Sequence, residues 1–244
     1  MSSLYLREDL GETTVGALIE LGGAEAKHAV TVNRSRVGDG IRIGNGRGLV
    51  ATGIIESIEP GAVAVRVTDV EERAEPAPRL VLVQALAKGD RDELAIQAAT
   101  ELGVSAIIPW AASRSVSRWE GAKKEKGRAR WETIVREASK QSIRWFVPPV
   151  LPIASTADLK VLAATSRVVL LDPTASDRLS DLPADADDSD LLLVVGPEGG
   201  ISDSELDGLT AAGAVRVRLG DTVLRTSSAG PAALAVLNVS LGRW

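Results

Sequence analysis

A change of hydrophobic period near residue 75 constrains this chain more than any other feature. Ahead of it, runs 41–43, 49–58 and 62–67 are short and β-like, separated by the turn Gly44-Asn45-Gly46-Arg47-Gly48 and by Pro60-Gly61. Short strands at that spacing predict a small barrel or sandwich. Glu71-Glu72-Arg73-Ala74-Glu75-Pro76-Ala77-Pro78 then interrupts the pattern, since its prolines disfavour helix before them and cannot donate to a strand ladder. Beyond it, 80–86 reads as a strand, 90–102 as a helix with Leu94, Ala98 and Leu102 on one face and Gly103 as its stop, and 104–109 as the next strand. Strand-helix-strand alternation predicts a mostly parallel α/β domain. The domains are therefore placed at 1–73 and 79–244, and 244 residues suit two unequal domains at roughly 150 residues per domain.

Further along, 127–144 reads as a helix whose apolar stripe is Trp131, Ile134, Val135 and Ala138. Runs 167–171, 191–195 and 214–219 are apolar without alternation, as strands covered on both faces are. The run 232–241 is apolar nearly all round and is expected to be buried in its own domain or in a partner subunit. The absence of Cys and the single His, His28, remove disulfides, thiolate nucleophiles and most transition-metal sites, so no metal is expected. No apolar run approaches the roughly 20 residues of a membrane helix, and the first residues resemble no signal-peptide core. A soluble, cytoplasmic protein is the expectation.

Net charge is -5, yet its distribution is uneven. Residues 114–144 hold ten Lys or Arg against four Glu, a local +6, so the remainder sums to -11. Part of that remainder is an acidic stretch, 177–190, with six Asp against Arg178 alone. Glu132, Arg136, Lys140 and Arg144 recur every four residues, which puts three cations on the helix face turned away from Trp131. With Lys123, Lys124 and Lys126 and with Trp119 and Trp145 as stacking candidates, that stripe suits RNA; alone, it is an ordinary solvated surface. Lys27, His28, Arg34, Arg36, Arg42 and Arg47 add a smaller cluster. A lone His is more often structural than catalytic.

Two glycine-bearing segments follow buried strands. In Gly196-Pro197-Glu198-Gly199-Gly200-Ile201-Ser202-Asp203-Ser204-Glu205, Ser202 and Glu205 have capping-box spacing, so a helix begins near Asp203. The glycines lie where open α/β sheets place ligands, and they equally suit a tight turn needing positive φ. The segment is neither a Walker loop nor a dinucleotide fingerprint. The second, Leu219-Gly220-Asp221-Thr222-Val223-Leu224-Arg225-Thr226-Ser227-Ser228, offers Thr226, Ser227 or Ser228 as cap for the last helix. Arg225 would then stand at the mouth of the same sheet edge.

Taken in order, five blocks resemble the 16S ribosomal RNA uracil-N3 methyltransferases of the SPOUT superfamily, the RsmE type. They are His28 to Arg34 with Gly38-Asp39; Lys88-Gly89-Asp90-Arg91 with Ile96-Gln97 and Glu101-Leu102-Gly103-Val104; Glu137-Ala138 with Gln141 and Arg144; Gly196 to Gly200; and Leu219-Gly220 with Val223-Leu224-Arg225-Thr226. The resemblance implies a PUA-like RNA-binding barrel over 1–73, a trefoil-knotted SPOUT domain over 79–244, S-adenosylmethionine held in the knot, and a homodimer through knot helices. It implies cofactor contacts at Leu171, Gly196, Pro197, Glu198, Gly199, Gly200, Leu219, Gly220, Val223, Leu224 and Thr226. RNA contacts are expected from Arg7, His28, Arg34, Lys88, Arg91, Arg136, Lys140 and Arg144, and transition-state stabilisation from Arg225. The partner implied is 16S rRNA or the assembled small ribosomal subunit, with no membrane.

Two positions depart from the family pattern. Ser227 stands where the family often has Glu, removing a carboxylate, and Asn33 replaces an apolar residue. The activity implied is methylation of N3 of a specific uridine in the decoding region. Alternatives are ribose 2′-O-methylation, as other SPOUT proteins perform, and a non-catalytic RNA-binding assembly factor. A dinucleotide oxidoreductase lacks its fingerprint here.

Overall fold

The computed structural model describes residues 4–183 and 189–244; the middle of the acidic stretch, 184–188, lies outside them. The chain divides into two compact units, Met1–Glu75 with Ser139–Val147, and Pro76–Ala138 with Pro148–Trp244.

The first unit is a five-stranded sheet in the order β1-β3-β4-β5-β2, from β1 (Leu4–Leu6), β2 (Leu18–Gly22), β3 (Gly40–Gly44), β4 (Leu49–Glu59) and β5 (Ala62–Glu72). All its pairings are antiparallel except β1 with β3. In β2 the burial alternates, with Ile19 and Leu21 turned inward, as expected of a strand covered on one face. Those two join Tyr5, Ile41, Ile43, Ile55, Val63 and Val65 in one core. Between β2 and β3 lie the short helix α1 (Gly23–Lys27) and a π turn, His28–Val32, neither of which the sequence pattern announced.

The second unit has an all-parallel sheet in the order β10-β8-β9-β6-β7. Its elements are β6 (Leu80–Ala85), α2 (Arg91–Glu101), β7 (Ala106–Trp110), α3 (Lys123–Gln141), α4 (Thr156–Leu162), β8 (Arg167–Leu171), β9 (Leu191–Val195), α5 (Asp203–Ala211), β10 (Val215–Val217) and α6 (Thr226–Ser240). β6, β7 and β9 are buried at every residue, matching the unbroken apolar runs of strands covered on both faces. The α/β class with a mostly parallel sheet, preceded by a β domain, is thus what the period change implied. From β10 at the sheet edge the chain returns to pack α6 on β6 and β9 at the middle, the path that a trefoil threading requires.

Two elements differ from the sequence reading. The last helix begins at Thr226, within a residue or two of the start that a cap at 226–228 implies, and carries Pro231 in its early turns, whose missing N–H leaves the Ser227 carbonyl without an intrahelical donor. Its cap differs, because none of Thr226, Ser227 and Ser228 caps it and Arg225 is the N-cap without a side-chain cap. The second, α3, starts at Lys123 and stops at Gln141, with Ile143 at φ 55, so Arg144 is not on its face. Residues 139–147, read as part of the second domain, group with the first unit.

Candidate active site

Because the sheet is parallel, the carboxyl ends of β8, β9 and β10 open on one side, and a cavity of about 570 Å³ lies there. Pockets for small molecules and cofactors span about 300–1,000 Å³. Its walls are Leu171 to Thr174 after β8, the turn after β9, and the stretch from Arg218 to Thr226 between β10 and α6. The fold thus brings together ten of the eleven expected cofactor residues, along with Arg225, on one concave surface; Gly199 faces away, toward Arg114, whose Cβ would lie 3.4 Å from a Cβ built there.

The glycines divide by cause. Gly200 sits at φ +70, and a Cβ on Gly196 would meet Ile201 Cγ1 at 2.8 Å, so both serve the turn closed by the Gly200 N–H on the Pro197 carbonyl. Gly220 has neither a positive φ nor any atom within 4 Å of a built Cβ, yet it lines the cavity. The fold does not require glycine there, and the missing side chain leaves the main chain open to the cavity.

A buried hydrogen-bond chain joins the two turns. Thr226, 6% exposed, donates its hydroxyl to the Gly196 carbonyl at 2.8 Å and accepts from Gln84 Nε2 at 2.9 Å. That use of the Thr226 hydroxyl is why it does not cap α6. Gln84 is fully buried on β6, so three elements fix the distance between the turns.

Each carboxylate around the cavity is held differently. Glu198 Oε1 accepts from the Lys88 N–H at 3.0 Å and from Arg91 Nη1 at 2.7 Å. Burial works against its charge, but the backbone hydrogen bonds and Arg91 outweigh it and hold the pKa below the usual range. Glu198 therefore ties the loop after β6 to the turn. Asp172, 6% exposed, is likewise lowered: burial raises it, while Thr174 and Arg216 lower it by more. Asp203, the first residue of α5, also lines the cavity and is exposed. Ser227 is half-buried one residue beyond the cavity wall.

Four arginines line the cavity: Arg91, Arg114, Arg218 and Arg225. Arg91 is paired with Glu198 and Arg218 with Asp221. The guanidinium of the exposed Arg225 has no hydrogen-bonding or ionic partner among the described residues. Arg114, Asp203 and Arg218 are among the charged cavity residues that sequence reasoning did not assign to the site; Arg114 belonged only to a count of charges.

The expected RNA contacts separate into accessible and committed groups. Arg34 and Lys88 are exposed, and Arg91 is exposed but clamped by Glu198. Arg7 is held by Asp9 and donates to the Glu20 carbonyl. Lys140 corrects the stripe: it is 6% exposed, with Nζ 3.0 Å from Glu25 Oε1 and 3.2 Å from His28 Nδ1. Its ammonium neutralises a buried carboxylate of the first unit and cannot reach phosphate as an open helix face would. His28 is correspondingly a partner of Lys140 and lies edge-on to Tyr5. Burial pushes the Arg144 guanidinium down to about 10, against the pull of Glu75, so it too is withdrawn. Arg136 is half-buried and pairs with Glu137. Of the stacking candidates, Trp145 carries the Arg73 guanidinium 3.9 Å over its ring, and Trp119 packs edge-on against Trp131 and covers Gly127. Among the described residues there is no group of three metal-ligating side chains, and no helix is long and apolar enough to cross a membrane.

Residues 74–238 match the model of an RNA methyltransferase domain, and residues 21–68 match an RNA methyltransferase PUA domain. The chain belongs to the ribosomal RNA small subunit methyltransferase E family. A member from Mycobacterium tuberculosis is 42% identical over 100% of this chain and 94% of its own, and one from Bacillus subtilis is 34% identical over 88% of each. The family's fold is matched as closely: a Neisseria gonorrhoeae methyltransferase E bound to S-adenosyl methionine superposes with a TM-score of 0.87, at 27% identity, over 98% of both chains. A Legionella pneumophila methyltransferase solved with its cofactor SAM gives 0.86 at 30% identity, again over 98% of both.

Proposed function

We propose that this protein transfers a methyl group from S-adenosylmethionine to N3 of a uridine in the decoding region of 16S rRNA. The observation that carries the reading is the convergence of the turn at Gly196–Gly200 and the stretch at Leu219–Thr226 on one cavity beside an uncommitted Arg225. Gly220, which the fold does not need, leaves room for a bound group against exposed main chain, and backbone amides and carbonyls there suit an adenosine. The cofactor, when bound, supplies a methyl carbon made electrophilic by a sulfonium.

The chain's own residues then have three tasks. The Thr226–Gly196 and Gln84–Thr226 bonds hold both turns at fixed separation, so that the turns would hold a bound methyl donor in one orientation toward an incoming base, and that alignment is what the transfer requires. The target uridine must be unpaired or extruded, because pairing blocks N3 and its proton has to leave before or during attack. As negative charge spreads onto the uracil carbonyl oxygens, Arg225 stabilises it, its guanidinium being free of any carboxylate among the described residues. Arg34 of the first unit and Lys88 of the second are exposed cations available to RNA. The proposal includes a cytoplasmic homodimer formed through α6, whose Val239 is 63% exposed.

The test is incubation with labelled cofactor and small ribosomal subunits from a strain lacking the modification, followed by mapping of the product nucleoside. Label on uracil N3 supports the reading; label on a ribose hydroxyl, or none, overturns it.

A further inference from the structure

The loop after β7 carries a second cation to the cavity, and it is built more firmly than Arg225. Glu205, in the first turn of α5, is 5% exposed, and no Lys or Arg among the described residues bonds to it. Its carboxylate accepts instead from the Ser113 N–H at 2.8 Å, the Ser113 hydroxyl at 2.7 Å, the Thr156 hydroxyl at 2.9 Å, and the Ser202 hydroxyl and N–H at 2.7 and 3.2 Å. A charge held by neutral donors alone near a helix N-terminus is stable when every lone pair is used. One side chain thus binds the loop after β7, the start of α4 and the cap of α5.

The residue next to Ser113 is Arg114. Its Nη1 donates to the carbonyls of Gly199 at 3.2 Å and Ile201 at 3.3 Å. Its Nε and Nη2 make no hydrogen bond among the described residues, and no carboxylate neutralises it. The guanidinium is therefore seated on the turn by one nitrogen, with the Nε–Nη2 pair unspent, and that pair has the spacing to take an oxyanion through two parallel bonds.

We propose that Arg114 binds a phosphate of the RNA strand that delivers the target base, and that the Ser113–Glu205 hub positions it. This rests on the methyltransferase reading of the same cavity. A nucleotide whose base enters the cavity brings its own phosphodiesters to the rim, and Arg114 is exposed there, whereas Val195 and Thr226 at the floor are buried. The cofactor's methionine carboxylate is the one other oxyanion the reading supplies, and the experiment separates the two.

Arg114→Gln and Arg114→Lys are compared with the parent in three measurements: cofactor affinity by calorimetry, affinity for an rRNA fragment as a function of salt, and thermal midpoint. For Arg114→Gln the expectation is cofactor affinity within threefold of the parent, RNA affinity lower by about tenfold, and a salt slope smaller by about one phosphate contact. Arg114→Lys should keep the slope while losing part of the affinity, because the point charge survives and the fork does not. Glu205→Gln, checked for folding by its thermal midpoint, should weaken RNA with the parent's slope. Loss of cofactor affinity with RNA binding unchanged would assign Arg114 to the carboxylate and overturn the proposal. No change in either would reduce it to a support for the turn. If the parent itself fails to bind the cofactor, the methyltransferase reading fails first, which is a different result from a parent that binds it and an Arg114→Gln variant that behaves identically.

Discussion

The cavity and the basic stripe were both written into the sequence as patterns, and the fold treated them in opposite ways. The Gly196–Gly200 turn and the Leu219–Thr226 stretch depend on main-chain properties: where a strand ends, where a glycine leaves space, where a helix starts. Those properties are local, and the parallel sheet brought the two segments together on one cavity. The stripe of Arg136, Lys140 and Arg144 depended instead on side chains staying unpartnered. Lys140 found Glu25, 115 positions away in sequence, and the helix ended before Arg144. A run of cations at helical spacing states what a face contains, but whether that face is free is settled by residues far off in the chain.

The largest effect expected on the cavity side is from Arg225→Ala, which should lower single-turnover methylation by about a hundredfold while leaving cofactor affinity within threefold. Unchanged turnover at saturating cofactor would remove Arg225 from the chemistry and leave the cavity as a binding site alone. On the stripe side, Lys140→Met should destabilise the protein by about 3 kcal/mol or more, because it removes the ammonium that neutralises the buried Glu25 carboxylate. Denaturant unfolding measures this, and Glu25→Leu combined with Lys140→Met should recover much of the loss. If Lys140→Met instead folds normally and loses RNA affinity, Lys140 belongs to an open RNA-binding face and not to a buried ion pair.

Smaller effects sharpen the comparison. Gly220→Ala should leave the thermal midpoint nearly unchanged, since nothing crowds the new methyl, yet weaken cofactor binding about tenfold by the loss of a fitted contact of roughly 1.4 kcal/mol. A fall in stability without a fall in affinity would show that the glycine serves the fold. For pH, Glu198 and Asp172 have lowered pKa values in the folded protein, so their contribution is fully present above the ordinary carboxylate range and is lost as pH falls through the folded values. The thermal midpoint should therefore decline below about pH 4.5, and Glu198→Gln should remove part of that decline. Smallest is Arg136→Glu, expected to change RNA affinity by about twofold to threefold, because Glu137 already shares its charge.

Most strands were legible because each carries its own signal. Runs 167–171 and 191–195 coincide with β8 and β9, since an unbroken apolar run needs two covered faces wherever it sits. The Ser202–Glu205 capping box formed as spaced. What was hidden has a common cause. The π turn at His28–Val32 has no composition of its own, and α4 is only seven residues, capped by Ser155. The cap of α6 was hidden because the Thr226 hydroxyl is spent on the Gly196 carbonyl, 30 positions away in sequence, and Arg225 takes the N-cap position instead. Arg114 was invisible as anything but a positive charge, because its role follows from two carbonyls more than 80 positions downstream.

The change from a β domain to a parallel α/β domain, most of the strands and the two glycine-bearing turns were determined by the sequence alone, because periodicity and backbone preference act within a few residues. Tertiary structure decided which charges remain available: it withdrew Lys140 and Arg144, clamped Arg91, and left the Arg225 and Arg114 guanidinium groups without a carboxylate partner among the described residues. The physical reason is that electrostatic pairing is set by distance in space and by burial, and neither quantity exists until the chain has folded.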